Sequence, residues 1–524
     1  MQKKFYITTP IYYPSDNLHI GHAYTTILAD CLARYKRMRG YDVRFLTGTD
    51  EHGEKIERIA KEKGVAPIEY VDEIVGNIKK LWQELSISND DFIRTTDQKH
   101  KDAVQKIFTR LLENGDIYKG KYSGKYCVPC ESFWLEAQLD ENGNCPDCGR
   151  PVEDRVEESY FFEMSKYADR LMKYYDEHPG FIEPESRKNE MLSNFLLPGL
   201  EDLSISRTGF SWGIPIKEDP SHVIYVWIDA LSNYITALGY LSEDDSLFQK
   251  YWSEDTEILQ LVGKEIVRFH TIYWPIMLMS LGLRLPDKVY AHGWLIMKDG
   301  KMSKSKGNVV RPENLIARYG NDALRHYVLS QIVLGNDGVY TPELFIGCVN
   351  TDLANNLGNL LNRTVAMVEK YFAGTVEKND VATEYDEALK NFSQETIKKY
   401  EEEMDKYHVD KASQCIFDYV SQLNKYIDET QPWVLAKNPT EKAKLATVLL
   451  NLCLGLRQVG IMLQPFLLDA PKTIFDQLKI EETAQQYSSI YDFNALTRIT
   501  VEKMEPIFNR LDVEKEVEFL QNWE

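Results

Sequence analysis

At 524 residues, with 43% apolar and 27% charged residues, the chain has the composition of an ordinary folded protein of several domains, which excludes a disordered or fibrous one. A formal net charge of −20 and a pI near 5.1 exclude sequence-blind coating of nucleic acid, since phosphate contacts need clustered Lys and Arg; a local basic patch could still hold such a partner. The start, "MQKKFYITTP", has no apolar core for a signal peptide, and no run reaches the ~18 uninterrupted apolar residues of a membrane helix, so a cytoplasmic protein is expected.

The first segment, "FYITTPIYY", is rich in β-branched and aromatic residues and predicts a strand. From Ala23 the apolar residues Ile27, Leu28, Cys31, Leu32, Tyr35 and Met38 recur at helical spacing until Gly40. A second strand follows in "YDVRFLTGTD", completing a βαβ unit and predicting a parallel α/β sheet. From about residue 116 short, turn-rich pieces surround a group of cysteines. Strand and helix signals return in "HVIYVWIDALSNYI", "TEILQLVGKEIVRFHTIYWPIMLMSLG" and "KVYAHGWLIM". The α/β domain is therefore expected to be split, with halves at 1–115 and 220–295 and an insertion at 116–219. A connecting region at 296–348 follows. From 349 to 524 strands are expected to vanish into a helical bundle, as in "LANNLGNLLNRTVAMVEKYF" and "KAKLATVLLNLCLGLRQVGIMLQPF".

Four of the eight cysteines, Cys31, Cys348, Cys415 and Cys453, are scattered singly and read as small core residues. The others form two C-x₂-C knuckles, Cys127–Cys130 and Cys145–Cys148. Their spacing suits one closed tetrahedral four-thiolate site, which predicts a structural zinc ion, with an iron–sulfur cluster as the lesser alternative.

His19-Ile20-Gly21-His22 opens the first helix. Free backbone N–H groups and the positive dipole end make that a natural phosphate site, although two histidines there are more often simple caps. Neither G-x-G-x-x-G nor G-x₄-G-K-[ST] occurs, which argues against a dinucleotide enzyme and a P-loop NTPase. Residues 298–308, "KDGKMSKSKGN", place Lys298, Lys301, Lys304 and Lys306 among glycines in an acidic chain; most short charge runs are solvated surface, but this one could clamp a polyanion.

"HIGH" after the first strand and "KMSKS" after the last strand of a split α/β domain form a pattern far more specific than either part. With it the chain resembles the class I aminoacyl-tRNA synthetases, the methionyl enzymes in particular. "TTPIYYPSDNLHIGHAYTT", "FLTGTDEHG", "SRTGFSWGIP", "VWIDALSNYI", "GKEIVRFH", "AHGWLIMKDGKMSKSKGN" and "NKYIDETQPWVLAK" follow that family's order over nearly the whole length.

The resemblance implies a Rossmann-like catalytic domain, a zinc-bearing connective insertion, a KMSKS and stem-contact region at 296–348, and an anticodon-binding bundle from 349. It implies attack of the methionine carboxylate on the α-phosphorus of ATP, carried with Mg²⁺, and then transfer to the 2′-hydroxyl of the terminal adenosine of initiator and elongator tRNA(Met). His19, His22, Lys301 and Lys304 would be catalytic. ATP would also meet Tyr13, Gly21 and Gly293. Asp50 would bind the methionine ammonium, and Ile11, Tyr13, Trp227, Ala230, Tyr234, Ile266 and His270 would line the side-chain pocket, with Tyr234 or His270 hydrogen-bonded to the sulfur. Without the resemblance, Trp227, Ala230 and Tyr234 read as a buried helix stripe, and Asp229 as a surface or capping carboxylate. Trp433 would stack on an anticodon base, with Asn359 and Arg363 hydrogen-bonding nearby; Asn355, Asn356 and Asn362 lie on the same segment. Homocysteine, one methylene shorter, would be rejected by only ~1–3 kcal/mol. The chain ends at "EFLQNWE", short of the further tRNA-binding and dimerisation domain of many bacterial relatives, so the expectation is either a short, monomeric form or a longer protein trimmed at that point. A catalytically inactive tRNA-binding protein on the same fold is the rival reading.

Overall fold

The computed structural model describes residues 2–130, 132–134, 136–298, 300, 309–333 and 335–522. The chain divides into two compact units, one of Met1–Leu18 and Asp42–Gly293, the other of His19–Tyr41 and Trp294–Glu524.

The first unit contains β1 (Lys4–Tyr12), β2 (Asp42–Thr49), β3 (Asp91–Arg94), β4 (Ile117–Cys127), β5 (Ser132–Trp134), β6 (Glu153–Phe162), β7 (Ile182–Glu183), β8 (Leu203–Ser204), β9 (Ser206–Arg207), β10 (Val223–Ile224), β11 (Thr256–Gly263) and β12 (Lys288–His292). Six of them form one all-parallel sheet in the order β3-β2-β1-β11-β12-β7. The central strands β1 and β11 are buried along most of their length, as parallel strands covered on both faces must be. Strand order reverses between β1 and β11. At such a switch point the connections leave in opposite directions, and a crevice opens beyond the carboxyl ends of the strands. Ile11 and Tyr13, Asp50, Ile266 and Gly293 all lie at those ends, on β1, β2, β11 and β12 or just past them.

The insertion is built on an antiparallel pairing of β4 with β6, from Ile117 opposite Phe162 to Tyr126 opposite Glu153, flanked by β5 and β8. One strand from within it, β7, joins the parallel sheet beside β12, which no pattern in the sequence announced. Two residues are too few to carry an alternation.

In the second unit the first helix, Ile20–Met38, packs against the helix Asn321–Ser330. The fully buried Arg325 donates to Asp30 at 2.8 Å and to the carbonyls of Pro465 and Phe466. The sequence predicts helices alone after 349. The structure corrects this: β15 (Thr375–Glu377) and β16 (Arg498–Thr500) pair antiparallel, after β13 (Leu295–Met297) and β14 (Gly338–Tyr340), which pair parallel. Three-residue strands are again too short to register as a period.

Helix Lys442–Leu463 is apolar on nearly every face. The segment Pro439–Leu463 is long and apolar enough to cross a membrane by length and composition, yet its most apolar 18-residue stretch is 94% buried within its unit. Counting uninterrupted apolar runs missed it because Asn451, Arg457 and Gln458 break the run. Arg457 is satisfied by the carbonyls of Ala484 and Ser489.

Candidate active site

The stretch "GTDEHG", which ends β2 and turns out of it, is held at every residue. The Asp50 N–H donates to the Tyr12 carbonyl at 3.0 Å, joining the ends of β2 and β1. Glu51 is fully buried and accepts a bidentate pair from Arg94 (2.7 and 2.8 Å) and hydroxyls from Thr49 and Thr96. His52 Nδ1 meets Asp229 at 2.6 Å. Gly53 takes a φ of 116°, open to glycine, and donates to the Trp212 carbonyl. Gly48 has no room for a Cβ, which would lie 2.1 Å from the Ile93 carbonyl oxygen.

Asp229 is neither a surface nor a capping carboxylate, which corrects the bland reading of that residue. It is 1% exposed and bonded by two histidines, His52 on one oxygen and His100 Nε2 on the other, both at 2.6 Å. Burial alone would raise its pKa; the two histidines outweigh that and hold it below the usual carboxylate range. The network ties the loop carrying Asp50 to the helix Val226–Thr236, which carries Trp227, Ala230 and Tyr234. Glu51, His52, Arg94 and His100 were not read as functional from sequence. The available signal was three ionisable residues in a row directly after an apolar strand.

Of the expected pocket residues, Trp227 stacks flat on Phe269, centroids 3.6 Å apart and planes at 4°. Ala230 and Tyr234 are buried, while Ile11 and Ile266 are partly buried against the main core. Tyr13 lies beneath the Lys55 ammonium, 5.3 Å from its ring centre. His270 Nδ1 lies 2.9 Å from the Ile266 carbonyl, which only accepts, so that nitrogen carries the proton. Nε2 must then accept, and the Tyr234 hydroxyl donates to it at 2.6 Å. Both donors proposed for a thioether sulfur are thus engaged with protein partners in this arrangement.

Burial lowers the His270 pKa to about 4. A histidine kept neutral in the fold and free to charge at about 6.5 when unfolded withdraws stability as pH falls from 6.5 to 4, by roughly 3 kcal/mol in all. Thermal unfolding followed from pH 7 to pH 4 should therefore fall less steeply in His270→Gln than in the parent. Equal slopes would assign the loss to other groups.

In the second unit His19 and His22 open the first helix as a reciprocal cap. His19 Nδ1 accepts from the Gly21 N–H and His22 Nδ1 from the His19 N–H, each at 3.1 Å. With Nδ1 accepting, each ring carries its proton on Nε2. Burial, with His19 beside it, keeps the His22 pKa far below the ordinary range. No acidic residue occupies the first turn. Gly21 serves the cap itself: a Cβ there would lie 2.9 Å from the His19 ring. Ile20 N–H donates to the Val310 carbonyl at 3.0 Å, which ties the chain after the lysine-rich stretch to the helix start, and β13, before that stretch, packs against the same helix. Lys301 and Lys304 lie outside the described residues; Lys298 is exposed at the end of β13. Gly293 is buried just past β12, and its carbonyl accepts from His292 Nδ1.

The four knuckle cysteines converge, all Sγ atoms within 4.8 Å of one another. Two pairs stand at 3.5 and 3.9 Å, close to the roughly 3.8 Å edge of a tetrahedron with ~2.3 Å zinc–sulfur bonds. All eight cysteines are free. Among the described residues Cys127, Trp134 and Cys145 form a separate small core, with Leu139 and Val152 packed against it, and a metal fits here as a structural clip.

Among the residues expected to meet an anticodon, Trp433 is 41% exposed. Asn355 and Asn359 are exposed, and Arg363 pairs with Asp428 at 3.3 Å. Asn356 is engaged within the fold, by Ser421 and Asn424.

A parallel sheet with its crevice at the switch point and a cysteine-knuckle insertion is the architecture of a class I tRNA synthetase, and the family described as tRNA synthetases class I (M) matches residues 5–158 and 149–365. The anticodon binding domain of methionyl tRNA ligase matches 376–523. The chain is 59% identical over 522 residues to the methionine–tRNA ligase of Caldanaerobacter subterraneus subsp. tengcongensis, covering 99% of this chain and 81% of that protein. It is 55% identical over 529 residues to that of Bacillus subtilis, covering 99% and 79%. The Mycobacterium tuberculosis methionyl-tRNA synthetase in complex with methionyl-adenylate superposes with a TM-score of 0.92 at 38% identity, over 97% of this chain and 100% of that one. The chain belongs to the methionyl-tRNA synthetase family.

Proposed function

We infer that the chain is a methionine–tRNA ligase, which activates methionine with ATP and transfers it to tRNA. In the first step a methionine carboxylate oxygen forms a bond to the α-phosphorus, the bond from that phosphorus to the bridging oxygen breaks, and pyrophosphate leaves. An ionised carboxylate needs no base, so the protein's task is positioning and stabilising phosphate charge. In the second step the 2′-hydroxyl of the terminal adenosine takes the methionyl group and AMP departs.

The observation that carries the residue assignments is the helix start at His19. Two histidines cap that helix end while keeping their protons on Nε2, no acidic side chain sits in its first turn, and Val310, beyond the lysine-rich stretch, is bonded to Ile20 there. His19, Gly21 and His22 hold the triphosphate of Mg²⁺-bound ATP, and Lys301 and Lys304 neutralise the departing pyrophosphate. Tyr13 and Gly293 complete the ATP contacts. Asp50 takes the methionine ammonium, and Ile11, Tyr13, Trp227, Ala230, Tyr234, Ile266 and His270 line its side chain. For the sulfur to receive the Tyr234 hydroxyl, His270 must give up that bond. Cys127, Cys130, Cys145 and Cys148 hold one structural zinc ion. The helical segment from 349 reads the anticodon of initiator and elongator tRNA(Met), in the cytoplasm.

The test is ATP–pyrophosphate exchange with each of the twenty amino acids in turn. Exchange with methionine alone is expected, reduced ~10²- to 10³-fold in Lys304→Ala, the usual loss for one charge-stabilising donor. No exchange with any amino acid would favour the inactive tRNA-binding reading. Trp433→Ala should leave exchange intact and lower kcat/KM for tRNA charging by ~10- to 150-fold, the worth of one stacked base. An unchanged value would remove Trp433 from the anticodon site.

A further inference from the structure

Among the described residues a second group of metal-ligating side chains converges, far in sequence from the knuckles and in the other unit. His326 lies on the helix Asn321–Ser330, Cys348 ends the helix Pro342–Cys348, and Asp352 sits in the π-helical segment Val349–Gly358 that continues it. Their ligand atoms all lie within 4.8 Å of one another. His326 Nε2 is 2.9 Å from Asp352 Oδ2, and Cys348 Sγ is 3.8 Å from the same oxygen. Around an ion bonded at ~2.0 Å to nitrogen and oxygen and ~2.3 Å to sulfur, tetrahedral ligands stand roughly 3.3–3.6 Å apart, so small rotamer shifts would close the site.

We propose that His326, Cys348 and Asp352 form a three-ligand site for a zinc-like divalent ion, distinct from the four-cysteine clip. The mixed nitrogen, sulfur and oxygen donor set suits borderline-soft ions of that type and not Mg²⁺ or Ca²⁺. A thiolate and a carboxylate neutralise a divalent charge, which a buried position requires, and His326 and Cys348 are 3% and 7% exposed. The Asp352 side chain is 27% exposed, so the site is reachable from solvent and its fourth position is left to water. On binding, the Cys348 thiol releases its proton to solvent, and the His326 ring proton moves to Nδ1 as Nε2 donates its lone pair. Ser330 Oγ, 3.5 Å from Nε2, borders the site. The π-helical segment runs directly into Asn359–Phe372, which carries Asn359 and Arg363. An ion here would therefore pin the start of that helix to Asn321–Ser330.

The test uses the full chain in its zinc-loaded form, titrated with Co²⁺. One additional equivalent is expected, with visible d–d bands and a thiolate-to-cobalt charge-transfer band, and a higher Tm. Cys348→Ala should abolish the charge-transfer band. Asp352→Asn, which preserves size and hydrogen bonding, should weaken cobalt binding at least ~10-fold, the range seen even for outer groups of metal sites, and keeps the test open if the cysteine variant folds poorly. Uptake limited to the four-cysteine site, or bands that persist in both variants, would overturn the proposal and leave a His326–Asp352 hydrogen bond beside a core thiol.

Discussion

Replacing Asp50 with alanine is expected to raise the KM for methionine in pyrophosphate exchange by ~10- to 150-fold, the cost of losing a hydrogen bond to a charged group. Asp50, the residue proposed for the methionine ammonium, lies directly past the carboxyl end of β2. Its backbone is fixed by Tyr12, and its neighbours Glu51 and His52 are each bonded from below. A carboxylate so placed spends no reorganisation when the amino acid arrives. Because Glu51, not Asp50, takes the Arg94 pair, the substitution should leave Tm nearly unchanged. A KM within twofold of the parent would move the ammonium site elsewhere.

Asp229→Ala should cost more in folding than in any single contact with substrate. Removing the shared partner leaves His52 and His100 facing an empty, buried position, a loss of ~3–5 kcal/mol, read as a fall in Tm of the order of 10 °C. The sign of its pH dependence follows from its lowered pKa. The stabilisation is present above the ordinary carboxyl value near 3.9 and is lost as pH falls through the lower value held in the fold. Acid unfolding below about pH 4 should accordingly be less steep in the variant. Since the network joins the Asp50 loop to the helix of Trp227, Ala230 and Tyr234, KM for methionine should rise as well. A variant with parental Tm would show that the two histidines find other acceptors.

The sequence by itself determined the chemistry and its order. The four knuckle cysteines, the His19–His22 cap, the βαβ opening and the helical second half follow from local spacing, because metal ligation, helix capping and periodicity each act over a few residues. What only the tertiary structure decided were the long-range partners. Asp229 meets His52 and His100 from 177 and 129 residues away, a distance over which no local pattern operates. Strand β7 leaves the insertion to edge the parallel sheet, and β15 pairs with β16 across the bundle, in segments too short to carry a period. The apolar helix Lys442–Leu463 becomes a core element because its neighbours cover it, a matter of packing. The resemblance puts His270 in the pocket wall but says nothing of its protonation; burial keeps it neutral, and Ile266 and Tyr234 set its tautomer. Residue type is written locally, whereas burial and hydrogen-bond partnership, which set protonation and reactivity, exist only once distant segments have packed together.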